Sequence, residues 1–323
     1  MRAPIYTGPE TLEMKSVPKP EPRPGETLVN VARVGICGSD MHGYLGHDDR
    51  RPAPLILGHE AAGTTFNGDR VTVNPLVSCG KCPACRSGQD NICPTRQIIS
   101  MPPREGAFAE WIVMPKGNLV PIPDDMTFAQ AALAEPLAVC WHAARLGRRA
   151  IGGGARALVI GGGAIGLGSA LALIAQGTVE VVISEPNESR LAYLRAMGQD
   201  ARPPDAIGDS GDFDIVVDAV GFDATRATAS AQVRPSGVIL HIGLGHGAGG
   251  IDIRRLTLQE ITLIGTYAYT MADFKATVAA MIDGRLGSLD WTEERGLSEG
   301  AKAFADIRAG RVVAPKIILL PDA

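Results

Sequence analysis

The stretch Ala155–Gly177, ARALVIGGGAIGLGSALALIAQG, decides the fold. An apolar run ends in three glycines and an apolar stretch resumes behind them, which reads as strand, glycine turn and helix. The uncharged run from Ala157 to Ala175 is long enough to pass for a membrane span, but Gly161, Gly162 and Gly163 interrupt it where the strand should turn into the helix. Gly161, Gly163 and Gly166 fill the pattern G-x-G-x-x-G, with Ala164 and Ile165 opening the helix. Alone the pattern is a weak signal. Here it sits between an apolar strand and an apolar helix, and the next strand, EVVISEPNESR, closes on Glu185, 19 residues beyond Gly166. The glycines allow a tight turn and the close approach of a pyrophosphate to the helix N-terminus, where unpaired N–H groups and the dipole favour an anion. Glu185 then holds ribose hydroxyls and repels a 2′-phosphate, which favours NAD over NADP, with the nearby Arg190 as the opposing charge.

Outward from that stretch, apolar strands alternate with helical segments from Cys140 to Ala268. DIVVDAVG, GVILHIGLG and ITLIGTYAY supply further strands, and their spacing predicts a six-stranded, doubly wound parallel sheet. Residues 1–139 differ in character. They are rich in Pro and in short β-branched runs such as ETLVNVARVG, RVTVNP and FAEWIVM, which read as an irregular, mostly antiparallel β domain. From Tyr269 on, helices are expected at MADFKATVAAMIDG and EGAKAFADIRAG and a strand at PKIILLP. Residues 269–323 return to the first domain on this reading, and 140–268 form the second. The fold class is α/β.

Composition narrows the function. A chain of 323 residues with 45% hydrophobic content has room for two domains, and a net charge of −4 argues against a nucleic-acid or membrane-surface binder, leaving a small molecule as the expected partner. The opening MRAPIYTGPETLEMK has no apolar h-region, so a reducing cytoplasmic setting is the expectation for the six cysteines.

Two regions carry metal-ligand chemistry. In GICGSDMHGYLGHDDRRPAPLILGHE, residues 35–60, Cys37 offers a thiolate and His59 an imidazole; with one carboxylate they would make the three-ligand, open-position set of a catalytic zinc. The plain alternatives are a small buried cysteine and a turn histidine. Ser39 fits the N-cap of a short helix through Asp40, Met41 and His42. The second region is CGKCPACRSGQDNIC, whose thiols at Cys79, Cys82, Cys85 and Cys93 have the spacing C-x2-C-x2-C-x7-C. Two-residue spacers let neighbouring thiolates converge on one tetrahedral ion, so the reading is a closed structural zinc lobe. Paired disulfides suit a cytosolic setting poorly, and an iron–sulfur cluster normally shows other spacings, although Cys93-Pro94 supplies the dipeptide such clusters favour.

Further on, in LAEPLAVCWHAARLG, Glu135 followed by Pro136 fits a helix start, and Cys140 lies about one and a half turns beyond it and reads as core. Tyr44, His47 and the Asp48–Arg51 run are open to two readings, the mouth of a substrate site or a solvated loop.

Together, GxCGSDxH, GHExxG, GDRV, the four-cysteine lobe, the Glu-Pro pair and the glycine fingerprint give a chain that resembles the zinc-containing medium-chain dehydrogenases over nearly its whole length. Glu135-Pro136 and GTYAYT resemble the polyol dehydrogenases, such as sorbitol, L-idonate 5- and galactitol-type enzymes. The resemblance implies a Rossmann domain beside a GroES-like catalytic domain, two zinc ions per chain, and a homodimer or homotetramer. It implies oxidation of a secondary alcohol of a polyol or sugar acid, with hydride transfer to NAD. Carried over residue by residue, Cys37, His59 and Glu60 match catalytic-zinc ligands, and Glu135 binds the metal directly or through its water. The resemblance also implies Asp40 behind His59 and Val139 against the nicotinamide, and with it a proton relay expected to start at Ser39, run through the cofactor ribose and end at His42 toward solvent. One departure is plain: between Gly63 and Gly68 only TTFN stands, where relatives carry a longer stretch. Other readings remain in view. An L-threonine 3-dehydrogenase-like enzyme usually has Thr where Ser39 stands, a zinc-ribbon interaction module would need a basic cluster near the cysteines, and a non-catalytic cofactor binder would lack Cys37, His59 or Glu60.

Overall fold

In the computed structural model, which describes residues 1–151, 155–208 and 211–321, the glycine stretch folds as strand β1 (Arg156–Ile160), a turn, and the helix Ala164–Ala175. Parallel to β1 run β2 (Glu180–Ser184), β3 (Asp200–Arg202), β4 (Phe213–Asp218), β5 (Val233–His241) and β6 (Thr262–Gly265), in the order β3-β2-β1-β4-β5-β6. Strand β1 is buried along almost its whole length, the mark of a parallel sheet covered on both faces. Leu158, Val182, Val216 and Ile239 share one core. β3, with the sequence DAR, has no apolar run to announce it; pairing with β2 makes it a strand. At the turn, Gly161 has φ +98°, and a Cβ on Gly166 would lie 1.7 Å from the Gly161 carbonyl oxygen, so the helix reaches the turn only without a side chain there. Among the described residues no helix is long and apolar enough to cross a membrane.

Leu137–Tyr269 with Arg285–Gly287 forms one compact unit, and Met1–Pro136, Thr270–Gly284 and the chain from Ser288 form the other. The first crossing falls inside the helix Ala134–Ile151.

The other unit is built on a seven-stranded sheet. Its central strand, Glu26–Gly35, pairs antiparallel with Glu60–Thr65 on one side, so that Gly35 faces Glu60, and with Lys316–Leu320 on the other, so that Gly35 faces Ile318. Val29, Val31, Leu57, Phe108, Met114, Phe304 and Leu319 fill its core. The helices Met271–Ile282 and Gly300–Arg308 and the strand Lys316–Leu320 lie where the sequence predicts them. Thr292–Gly296, TEERG, was not foreseen; it is polar, and its parallel ladder with Lys316–Leu320 defines it. The trimmed turn after Thr65 is closed. Gly68 N–H donates to the Thr65 carbonyl at 2.9 Å and the Thr65 hydroxyl to the Asp69 carboxylate at 3.0 Å, leaving Phe66 exposed at the tip.

Candidate functional site

Cys37 is the N-cap of the helix Gly38–Tyr44, so Ser39 lies inside the first turn and does not serve as its cap. The capping group is Asp40, whose Oδ2 accepts the Cys37 N–H at 3.0 Å. Asp40 is fully buried; its Oδ1 also accepts the Gly58 N–H at 3.1 Å and lies 3.3 Å from His59 Nδ1. One carboxylate therefore ties Cys37, the turn before His59 and the His59 ring together. Burial opposes its ionisation, but the His59 charge and hydrogen bond outweigh burial and hold the Asp40 carboxyl below its ordinary value. His59 shows the converse: burial alone would lower it, while Asp40 and then Cys37 raise it well above the usual imidazole value. With Nδ1 turned to Asp40, Nε2 is the nitrogen left to meet an ion.

Glu60 follows His59 directly and is fully buried. A Cβ on Gly35 would stand 2.0 Å from Glu60 Oε2, so the glycine opposite is what admits this carboxylate to the sheet. Lys316 Nζ donates to Glu60 Oε1 at 2.7 Å, to Oε2 at 2.8 Å and to the Ile36 carbonyl at 3.0 Å. Burial disfavours the charged lysine, yet Glu60, Cys37 and Glu135 around it raise its pKa. The ligand atoms of Cys37, His59 and Glu60 all lie within 4.8 Å of one another. Glu135 is buried in the first turn of its helix and acts on Lys316 by charge, but it stands outside that cluster of three. Lys316 was missed in the sequence, where it opens the strand KIILL and belongs to no motif.

Ser39 Oγ is 3.5 Å from His59 Nε2 and accepts a hydrogen bond from Arg51 at 3.4 Å. Arg51 is buried and ion-paired to Asp48, so this part of the Asp48–Arg51 run belongs to the wall of the site and not to a solvated loop. Tyr44 belongs to neither reading. It is buried against Phe304, with ring centroids 4.8 Å apart, and donates to the Glu10 carbonyl. His42 is half-buried, one turn beyond Ser39 on the same helix, and His47 is exposed.

The four cysteines of the lobe also converge, with their sulfurs all within 4.8 Å of one another and none in a disulfide. Cys82 and Cys85 Sγ are 3.5 Å apart and Cys79 and Cys85 Sγ 4.0 Å, close to the roughly 3.8 Å edge of a tetrahedron with bonds of about 2.3 Å. Cys82 caps the helix Pro83–Arg86 through the Cys85 N–H. The amides of Lys81 and Cys82 draw the Cys79 thiol down to about 6, whereas burial and then the Cys82 sulfur push Cys85 up to about 11. The donor chemistry fits zinc at both places: four thiols in the lobe, and thiol, imidazole and carboxylate at Cys37, His59 and Glu60.

In the doubly wound unit, Glu185 directly follows β2 and meets the glycine turn. Its Oε2 accepts the Gly162 N–H and its Oε1 the Asn187 N–H, each at 2.8 Å, and Arg190 stands 3.7 Å away. The carboxylate and the turn formed around Gly161, Gly163, Ala164, Ile165 and Gly166 are thereby fixed to each other. Val139 is half-buried on its helix, and Cys140 is fully buried, donating to the Ile165 carbonyl at 3.3 Å.

Residues 23–124 match the family described as alcohol dehydrogenase GroES-like domain, and residues 164–283 the family described as zinc-binding dehydrogenase. The sorbitol dehydrogenase of Arabidopsis thaliana is 31% identical over 290 residues, covering 81% of this chain and 79% of that protein. The L-idonate 5-dehydrogenase of Vitis vinifera is 30% identical over 289 residues, covering 81% and 78%. A solved Escherichia coli oxidoreductase/dehydrogenase of unknown specificity has a TM-score of 0.92 at 28% identity, covering 100% of this chain and 99% of that one. With fold, ligand clusters and glycine turn all in place, the chain belongs to the zinc-containing medium-chain dehydrogenases.

Proposed function

We propose that the protein oxidises a secondary alcohol of a polyol or sugar acid to the ketone, with NAD as hydride acceptor and two zinc ions per chain. The observation that carries this reading is the cluster of half-buried Cys37 with buried His59 and Glu60, and Asp40 behind the imidazole. When bound, the ion supplies the Lewis acidity that makes an alcohol hydroxyl acidic near neutral pH, and the dinucleotide supplies the hydride acceptor. Cys37 and His59 hold the ion in this proposal, with Glu60 as third ligand and Glu135 meeting the metal directly or through its water. Ser39 Oγ takes the substrate proton and His42, one turn along the helix, passes it toward solvent. Cys79, Cys82, Cys85 and Cys93 hold the structural ion. Glu185 favours NAD by repelling a 2′-phosphate, with Arg190 beside it and Val139 against the nicotinamide. The names of the relatives, for sorbitol and for L-idonate, support the substrate class.

The test is a screen of NAD and NADP reduction over sugar alcohols, aldonates, simple secondary alcohols and threonine with zinc-loaded protein. The reading expects polyols or aldonates to lead with NAD, and Glu185→Ala to relax the cofactor preference; best turnover with threonine, or with NADP, would sink the corresponding part. Ser39→Ala should slow oxidation by roughly 10²–10⁴-fold with metal content unchanged. Full turnover in that variant would remove Ser39 from the relay.

A further inference from the structure

Asp218 and His241 end adjacent strands at the carboxyl edge of the parallel sheet, and the register of β4 with β5 sets them side by side. Asp218 is fully buried. Its Oδ1 accepts the N–H groups of Val220 at 3.1 Å and Gly221 at 2.8 Å, and its Oδ2 lies 3.1 Å from His241 Nδ1. A carboxylate so placed makes Nδ1 the protonated nitrogen and fixes the plane of the ring. Nε2 has no partner among the described residues, on a side chain that is 25% exposed. The three residues before His241 are Val238, Ile239 and Leu240, all fully buried. A polar ring and a buried carboxylate at the end of so apolar a strand carry a desolvation cost that an aliphatic side chain would avoid, which makes sense where a polar ligand arrives.

Ligands of open α/β sheets bind outside the carboxyl ends of the strands, and the order 3-2-1-4-5-6 consists of two mononucleotide-binding halves. The first half carries the glycine turn and Glu185. Asp218 and His241 belong to the second. We propose that His241, oriented by Asp218, binds the nicotinamide-ribosyl half of the dinucleotide through Nε2, accepting a hydrogen bond from a hydroxyl or amide donor. The inference rests on the dinucleotide-dependent reading above and adds a binding residue to it; the proton relay and the hydride step do not pass through His241.

The test is binding, read apart from turnover. NADH is titrated by fluorescence and ADP by competition against wild type, His241→Ala, His241→Gln and Asp218→Asn, each checked for an unchanged unfolding transition. His241→Ala should weaken NADH roughly 3- to 10-fold, the scale of one hydrogen bond, while ADP binding stays put. His241→Gln, whose amide reaches the place of Nε2, should keep most of the affinity, and Asp218→Asn should fall between. Unchanged NADH affinity in His241→Ala would reduce the pair to a staple between strands. Equal losses for NADH and ADP would point to a collapsed edge and overturn the assignment in the same way. If the wild-type protein binds neither NADH nor NADPH, the dinucleotide reading itself fails and takes this inference with it.

Discussion

The two ligand clusters differ in how the chain makes them. The four-cysteine lobe is local: Cys79 to Cys93 are neighbours in sequence, their amides tune their own thiols, and three of the four are only half-buried. The Cys37 corner is assembled from distant strands. Its Glu60 is held by Lys316, 256 residues away, and the whole group is closed off by Asp40. Four thiol donors suffice to close a tetrahedral coordination sphere, whereas three unlike donors with one carboxylate already held by a cation leave a position for something else. On the proposed reading, the lobe keeps an ion and the corner keeps an ion available.

The largest test of that contrast is the corner itself. Cys37→Ala or His59→Ala should cut turnover by roughly 10³-fold or more, the scale of losing several kcal/mol of charge stabilisation, while the lobe keeps its metal. Metal analysis showing both sites filled in these variants would break the distinction. Next in size is Lys316→Ala, which leaves the buried Glu60 without its counter-charge and should cost about 3–5 kcal/mol in denaturant unfolding. Pairing Lys316→Met with Glu60→Gln should recover most of it; a neutral Lys316→Ala would show that the pair does not organise the corner.

Cys82→Ser addresses the lobe. Metal binding at the proposed structural site would be coupled to folding, so the unfolding temperature should drop by several degrees, at about 2–4 °C per kcal/mol for a unit of this size, with turnover per folded molecule largely kept. Normal thermal stability with normal metal content would remove the structural role. The smallest effect concerns Asp48, which holds Arg51 against Ser39. Burial opposes its ionisation, but the hydrogen bonds of Arg50 and the charges of Arg51 and Arg50 bring its carboxyl down to about 2. The ionised form therefore stabilises the fold above the ordinary value of 3.8, and its contribution, about 1 kcal/mol after solvent screening, is lost as the pH falls through about 2. Thermal unfolding from pH 5 to pH 2 should show this acid slope in wild type and a flatter one in Asp48→Asn.

Legibility in the sequence follows the range of the interactions. The glycine turn, Glu185 at the end of β2 and the convergence of the four thiols are set by residues close along the chain, where steric limits and short spacers leave few conformations. Those could be read from the letters alone, as could the apolar strands β1 and β4 and the Val238–Leu240 run of β5, whose side chains are buried on both faces. Thr292–Gly296 and β3 could not, because neither has an apolar pattern of its own and each is a strand only through its partner. The cap on the helix after Cys37 was misplaced to Ser39 because Ser is the commoner capping residue, and only the buried position of Asp40 shows which side chain turns back. Lys316 was out of reach for the same reason, and for the Asp48–Arg51 run the letters left two readings open. A lysine is solvated by default; the burial of Lys316 is decided by Glu60, which tertiary structure brings from across the sheet, and Arg51, paired locally to Asp48, is placed by the contact of its loop with Ser39.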